Sequence, residues 1–280
     1  MSMHSSSNNE NGNGNPGLGQ GKTWIACGRR LVLEQKPLWY GMTAVYFVLG
    51  FVLKLIPFMG DLLLILITPM LLAGVVWGRA QEQHAEPAAK PDSSSPALAL
   101  FQTWIAQPAQ ELMRIFTQED KMFAAVLLGI VTLGLAMLVK IIGYLLVGGS
   151  MLSGLAASQV GTAQITTLLG MALVALLSVL LAMGLLFSVP LTVLANRQPL
   201  AAISESFSAC RENAAALLTL TVPFFLVYLV ILVAFAKSHW LGYLLVVSVG
   251  FLALPVFVAA VYCSYLTLYP PNPSGFRRQS

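Results

Sequence analysis

The sequence predicts an all-α, polytopic membrane protein with six transmembrane helices. Hydrophobic residues make up 57% of the 280 residues and charged residues only 9%, whereas a soluble domain carries roughly 25% charged residues. So few charges cannot cover a folded surface of this size, which excludes an ordinary soluble domain. The apolar residues also fall in blocks close to the ~20 residues that a helix needs to cross a bilayer.

Six segments have the length and composition of spanning helices. They cover residues 37–56, 62–78, 122–147, 164–195, 214–236 and 241–268. The fourth is long enough to tilt in the bilayer. Together they define a membrane domain over residues 22–269, followed by a short tail over residues 270–280. Residues 1–21 are rich in Ser, Asn and Gly and predict a disordered polar tail, because they cannot bury enough apolar surface to order themselves.

The basic residues predict the orientation of these spans. Twelve of the fifteen Lys and Arg residues lie in the N-terminal flank, in the 79–121 and 196–213 links or in the C-terminal tail. Only Lys54, Lys140 and Lys237 lie towards the other side. Because basic residues accumulate on the cytoplasmic side, both termini are predicted to be cytoplasmic. The net charge of +4 follows from this bias, and no nucleic-acid partner is predicted.

An internal repeat predicts three hairpin units, over about residues 22–78, 98–196 and 199–268. In each unit, a cytoplasmic interfacial amphipathic helix precedes a hairpin of two spans. Pro108 is expected to bend or break the second of these helices. The residues predicted to form their apolar faces are Trp24, Ile25, Gly28, Leu31 and Val32, then Leu98, Phe101, Ile105, Leu112 and Ile115, then Leu200, Ile203, Phe207 and Cys210.

The second span of each unit contains a proline, at Pro69, Pro190 and Pro255, and a small residue follows four or five positions later. These prolines predict helix kinks, and the small residues would let a neighbouring helix approach. The alternative is that the three matches arose by chance, because proline is common in membrane spans.

Two further residue types were considered as sites. Lys140 is an intramembrane charge, which is a functional hypothesis by default. It lies 19 residues after Lys121, or ~28 Å along a helix, so its long side chain can instead reach the far interface. Cys27, Cys210 and Cys263 show no metal or disulfide spacing and are predicted to be free thiols on the reducing side.

No motif in the sequence predicts an enzyme, a cofactor or a metal site. There is no phosphate-binding loop, dinucleotide fingerprint or HExxH. A hydrolase using Ser153 and His239 is the weakest alternative, because the glycine-rich segment around Ser153 does not form a Gly-x-Ser-x-Gly turn. The exposed chemistry is basic: Arg29, Arg30, Lys36 and Arg211 are the candidate contacts to lipid headgroups of an anionic inner leaflet.

A pattern of aromatic, proline and small residues across residues 22–269 resembles a family of uncharacterised multi-pass inner-membrane proteins of Gram-negative bacteria. It is also loosely similar to the membrane domain attached to some glycerophosphodiester phosphodiesterases. The resemblance implies the bacterial inner (plasma) membrane and brings no catalytic residue with it. Its residues are Trp24, Gly28, Pro37, Leu38, Trp39, Ile56, Pro57, Gly60, Pro69, Ala73, Gly74, Val189, Pro190, Ala201, Ala202, Ser206, Asn213, Pro255 and Tyr265.

The expected function is therefore a non-enzymatic scaffold or lipid-interface module. Its expected partners are membrane lipids, together with another membrane protein or a second copy of this chain. The alternative is a transporter or channel for a small apolar or lipidic molecule. That alternative predicts a polar-lined or continuous cavity among Pro69, Pro190 and Pro255.

Overall fold

The computed structural model describes residues 16–57, 59–82, 101–148 and 160–270, and these contain helices and no strands. The all-α prediction is confirmed for this part of the chain. Its α-helices are α1 (Pro16–Glu34), α2 (Lys36–Lys54), α3 (Gly60–Glu82), α4 (Gln107–Met113), α5 (Glu119–Gly143), α6 (Val160–Leu186), α7 (Ser188–Val193), α8 (Pro199–Glu212), α9 (Ala214–Lys237), α10 (His239–Leu245) and α11 (Phe251–Leu268). π-helical turns at Gln102–Ala106, Tyr144–Gly148 and Val246–Gly250 and a 3₁₀ turn at Arg114–Thr117 extend or join them.

Six stretches of helix are long and apolar enough to cross a membrane, as the sequence predicts. Spans one to six are Lys36–Lys54, Gly60–Ala80, Glu119–Leu146, Thr167–Val193, Ala214–Lys237 and His239–Leu268. Their large apolar side chains stay widely exposed; Phe51 is 69% and Phe123 70% exposed. Monomeric soluble proteins rarely expose apolar patches on this scale, so the surface is compatible with a multi-pass membrane protein.

Three helices that are no longer than the shortest span, α1, α4 and α8, pack between the spans in a regular order. They are called the shorter helices. Helix α4 contacts α2 and α3 of spans one and two, and α8 contacts α5 of span three together with α6 and α7 of span four, so each packs against the two spans that precede it in the chain. Helix α1 has no preceding spans among the described residues, and it contacts α9 and α11 of spans five and six instead. The last two spans therefore pack against the first described helix, and the contacts of the three shorter helices form a ring.

Glycines allow the closest of these contacts. A Cβ atom at Gly28 of α1 would lie 2.5 Å from the backbone nitrogen of Ala260 in α11. A Cβ atom at Gly74 of α3 would lie 2.4 Å from the carbonyl oxygen of Leu112 in α4. Ala260 and Gly74 each follow a proline of the repeat, Pro255 or Pro69, by five residues. Two of the three small residues that follow a repeat proline therefore lie where a shorter helix approaches a span.

Span four is interrupted by a side chain from α8. The Phe187 N–H donates to Ser206 Oγ at 3.0 Å, and the Ser206 hydroxyl donates to the Met183 carbonyl at 2.7 Å. Phe187 N–H and Met183 C=O would pair with each other in a continuous helix, so the inserted hydroxyl satisfies both groups at the break. The break precedes Pro190, whereas Pro69 and Pro255 lie inside α3 and α11.

The N-terminal boundary differs from the prediction, because α1 begins at Pro16, inside the segment predicted to be disordered. Gly17 and Gly21 lie against α9, and a Cβ at Gly21 would be 2.3 Å from the Ala216 carbonyl oxygen. Glycine lets two helices approach this closely, and this tertiary packing orders residues that composition alone marks as a tail. The rest of the predicted tail, residues 1–15, and residues 271–280 lie outside the described residues.

Pro108 does not break its helix, so of the two predicted outcomes, a bend or a break, only the bend stays a prediction. Residues 101–113 are helical throughout, and the π-helical turn Gln102–Ala106 directly precedes the α-helix that contains Pro108. This turn changes the backbone register just before the proline, where an α-helical hydrogen bond is lost. The proline ring is buried against Gly41, where a Cβ would lie 2.4 Å from Pro108 Cγ.

The residues predicted to form the apolar faces of the shorter helices, which were expected to lie in the acyl boundary of the membrane, differ in burial. In α8, Leu200 is 70% and Phe207 36% exposed, while small residues and Cys210 face the protein. The reason is the close contact with span four, which accommodates only small side chains and the Ser206 hydroxyl. In α1, Trp24, Gly28 and Val32 are buried against other helices; before span three, Leu112 is buried, Phe101 and Ile105 are exposed, and Leu98 lies outside the described residues.

The prediction of three free thiols is wrong for two of the cysteines. Cys27 and Cys263 form a disulfide across a sequence separation of 236 residues, with their Cα atoms 6.3 Å apart. The packing of α1 on α11 brings them together, which no local spacing could indicate. Cys210 is free and buried.

Candidate functional site

The four predicted lipid-headgroup contacts are all exposed. Arg29 and Arg30 lie on α1, Lys36 begins α2, and Arg211 lies in the last turn of α8. Arg30 Nε donates to Glu34 Oε1 at 2.8 Å in an exposed pair. No described carboxylate lies within salt-bridge distance of the other three side chains. Their charges are therefore available to a ligand or to solvent.

A groove of about 970 Å³ lies between the start of α5 and the segment that joins α7 to α8. Polar and charged residues line one part of it, and apolar residues of α5, among them Phe123, Leu127 and Val131, line the other. These three residues are spaced by four, so they follow one face of α5 over ~12 Å. No pattern in the sequence predicts this groove, because its walls come from segments about seventy residues apart. Its polar residues are Gln118, Glu119, Asp120, Lys121, Thr192, Asn196, Arg197 and Gln198.

Lys121, in this groove, holds three spans together. Its Nζ donates to the Val193 carbonyl oxygen at 2.7 Å and to Asn196 Oδ1 at 3.1 Å. It also lies 4.0 Å from the centre of the Trp77 ring of span two. Val193 is the last residue of α7, whose final carbonyls have no partner within the helix. Lys121 of span three therefore caps the end of span four while contacting span two.

The remaining charges of the groove differ in their partners. Arg197 Nε lies 3.3 Å from Glu205 Oε2. Glu119 and Asp120 are exposed in the first turn of α5, where acidic groups favour the helix dipole. The groove thus combines two carboxylates with two cations that already have protein partners.

Arg79, predicted to begin the 79–121 link, is a buried charge. It is 8% exposed at the end of span two, its Nη1 donates to Gln35 Oε1, and its guanidinium lies 5.9 Å from the centre of the Trp39 ring. A buried charge is tolerated only with such partners. Arg79 therefore joins span two to the α1–α2 junction, and is not an available lipid contact.

A cleft of about 170 Å³ lies between spans one, two and six. Its lining is apolar apart from three hydroxyl residues, Thr43, Tyr46 and Thr68. Tyr46 and Thr68 hydroxyls lie 3.3 Å apart, and Thr43 donates to the Trp39 carbonyl at 2.9 Å. The cleft includes Pro255 but neither Pro69 nor Pro190, so it is not the cavity among three prolines that the transporter hypothesis predicts.

Lys140 and His239 line neither the groove beside α5 nor the cleft between spans one, two and six. Lys140 is exposed in the last turn of α5. His239 is the exposed first residue of α10, and Ser153 lies outside the described residues. Within the described ranges, no three His, Cys, Asp or Glu side chains come together as metal ligands.

No protein-family model matches the chain, and no curated protein or solved structure is significantly similar to it. The resemblance to the inner-membrane family therefore stays a prediction. Functional inference then depends on the packing, charges and grooves of this chain itself.

Proposed function

We propose that this protein is a non-enzymatic scaffold or lipid-interface module of a bacterial inner membrane, with both termini in the cytoplasm. It is built from three units, each a shorter helix followed by two spans, and the shorter helices lie at the cytoplasmic interface. The observation that carries the proposal is the order of contacts. Helices α4 and α8 each pack on the preceding pair of spans, and α1 packs on the last pair. Such a ring suits a platform that holds lipids or a partner protein.

The lipid part of the proposal is supported by two surfaces on the predicted cytoplasmic side. The exposed, unbridged Arg29, Lys36 and Arg211 suit anionic headgroups, each at ~1 kcal/mol near an anionic leaflet. The groove beside α5 suits one zwitterionic phospholipid, because polar residues and an apolar face of a span both line it, and the cationic group of such a lipid can lie beside the exposed Glu119 and Asp120.

Reversing charge at Arg29 and Arg211 is expected to weaken retention of anionic lipid. The variant Arg29→Glu/Arg211→Glu should keep roughly tenfold less co-purifying anionic phospholipid than the wild type, since two favourable charges become repulsive. Lipid extraction and mass spectrometry after mild-detergent purification measure this. The matched control is Lys54→Glu/Lys237→Glu, which reverses two charges on the predicted opposite side. Equal lipid retention in both variants would contradict the proposal.

The orientation has its own test. A tag fused after Ser280 should be protected from a membrane-impermeant reagent in spheroplasts and become reactive only after permeabilisation. Single cysteines introduced beside Asp61 and His239, in a background lacking the native cysteines, should react without permeabilisation. The reverse pattern would reject the cytoplasmic placement of the termini.

A transporter or channel for an apolar or lipidic molecule is the second candidate function. The cleft between spans one, two and six favours it, and the apolar lining would suit an aliphatic chain rather than an ion. The scaffold proposal has more support because the cleft is small and reaches only one of the three prolines.

A further inference from the structure

The Cys27–Cys263 disulfide joins the first described helix to the last span. Cys27 is exposed on α1, whereas Cys263 is 4% exposed in α11. Cys27 is therefore the more accessible residue of the pair, while Cys263 is sheltered by packing.

This bond crosslinks the one shorter helix that is far in sequence from the spans on which it packs. Helices α4 and α8 pack on spans that directly precede them in the sequence, so the chain itself keeps them close. Helix α1 packs on spans five and six, which lie at the opposite end of the sequence. We call the contact of α1 and α2 with α11 the seam. The cleft lies in this seam, because residues of α2 and α11 line the cleft together.

We propose that Cys27 and Cys263 form a redox-controlled latch on this seam. In the oxidised state the disulfide fixes α1 on α11 and keeps spans one and six together. In the reduced state α1 is held by packing alone and separates from spans five and six more often, which opens the seam. The inference rests on the cytoplasmic orientation in the proposed function, because the cytosol keeps thiols reduced and disulfides there are usually transient and redox-sensing.

The chemistry needs an oxidant of the disulfide class, either a small-molecule disulfide or an oxidised dithiol protein. The exposed Cys27 thiolate attacks one sulfur of the oxidant, forming a mixed disulfide and releasing the first thiol. The Cys263 thiolate then attacks Cys27 Sγ and releases the second thiol. Two electrons and two protons pass from the cysteine pair to the oxidant, and a reduced dithiol reverses both steps.

Thiol trapping in intact cells tests the latch. Cells expressing the full chain are quenched in acid and alkylated, and the Cys27–Cys263 peptide pair is quantified by mass spectrometry. We expect free thiols in growing cells, the disulfide after treatment with the thiol oxidant diamide, and its loss after dithiothreitol. Cys210 is an internal control: it is buried and burial raises the pKa of its thiol to about 11, so we expect diamide to leave it a free thiol, which is alkylated in every sample.

Hydrogen exchange on the purified, full-length protein tests the consequence for α1. Residues 16–34 should exchange at least severalfold more slowly in the oxidised than in the reduced wild type. Cys27→Ser and Cys263→Ser should exchange like the reduced protein under both conditions, whereas Cys210→Ser should behave like the wild type. Equal exchange in both redox states would overturn the latch, even if the disulfide forms.

The orientation test separates failure of this inference from failure of the proposed function. If the tag after Ser280 is cytoplasmic and the pair is either always bonded or never bonded, the latch is wrong and the orientation stands. If the tag is outside and the pair is permanently bonded, both are wrong, because the bond is then a fixed structural crosslink.

Discussion

Replacing Gly28 with alanine is expected to lower the free energy of unfolding by about 3 kcal/mol, at the upper end of the cost of overpacking. The new Cβ would lie 2.5 Å from the backbone nitrogen and 2.7 Å from the Cα of Ala260. Backbone atoms inside a helix cannot rotate away as a flexible side chain can. The substitution therefore pushes α1 away from α11 along the contact that closes the ring.

Gly19→Ala is the matched control, on the same helix and with the same added methyl group. Nothing lies within 4 Å of a Cβ at Gly19, so alanine there should stabilise the helix by ~0.5–1 kcal/mol through its better helix propensity. The two variants are predicted to change stability in opposite directions. Unfolding in detergent by titration with dodecyl sulfate measures both, and a change of the same sign in both would reject the close contact.

The Gly28 variant also links the packing to the latch. If α1 moves off α11, the Cys27 and Cys263 sulfurs separate, and diamide should form the disulfide more slowly in Gly28→Ala than in Gly19→Ala. Stability and crosslinking rate are independent measurements of the same contact.

The spans could be predicted from sequence because bilayer thickness fixes their length, whatever they pack against. The partner of α1 could not, because its contact with spans five and six depends on glycines whose effect is visible only beside Ala216 and Ala260. Composition marked Gly17 and Gly21 as part of a disordered tail, and Gly28 was predicted only as part of an apolar helix face.

One signal in the sequence would have aligned the first two units more closely. Residues 23–26 and 103–106 have the same sequence, Thr-Trp-Ile-Ala, and a buried apolar residue follows each tryptophan by eight positions, at Val32 and at Leu112. The tryptophans themselves differ, since Trp24 is 2% and Trp104 42% exposed. The two identical segments therefore have different environments, and they share only the spacing from the tryptophan to the buried apolar residue.

The candidate site was the least predictable part, because an arginine or lysine at the end of a span looks the same in sequence whether it is free or engaged. Arg29 is exposed as expected, but Arg79 is buried and Lys121 is bonded across spans. The difference lies in partners that are far away in the sequence: Gln35 is 44 residues from Arg79, and Asn196 is 75 residues from Lys121.

Lys121→Met is expected to lower the free energy of unfolding by about 2–3 kcal/mol. Hydrogen bonds from a charged group contribute ~1.5–3 kcal/mol, and methionine keeps most of the apolar stem. The Val193 carbonyl at the end of α7 would lose its donor, and the contact with the Trp77 ring would lose its cation, which contributes ~0.5–2 kcal/mol. These contributions overlap and do not add in full.

Lys140→Met on the same helix is the matched control for Lys121→Met. Lys140 is exposed, and exposed substitutions usually change stability by less than ~0.5 kcal/mol. A double-mutant cycle with Trp77→Leu separates the two roles of Lys121: a coupling energy above ~0.5 kcal/mol assigns part of the loss to the ring contact. A loss in Lys121→Met with no coupling to Trp77 would assign the effect to the cap on α7 alone. Equal stability of the Lys121→Met and Lys140→Met variants would mean that Lys121 does not join the three spans.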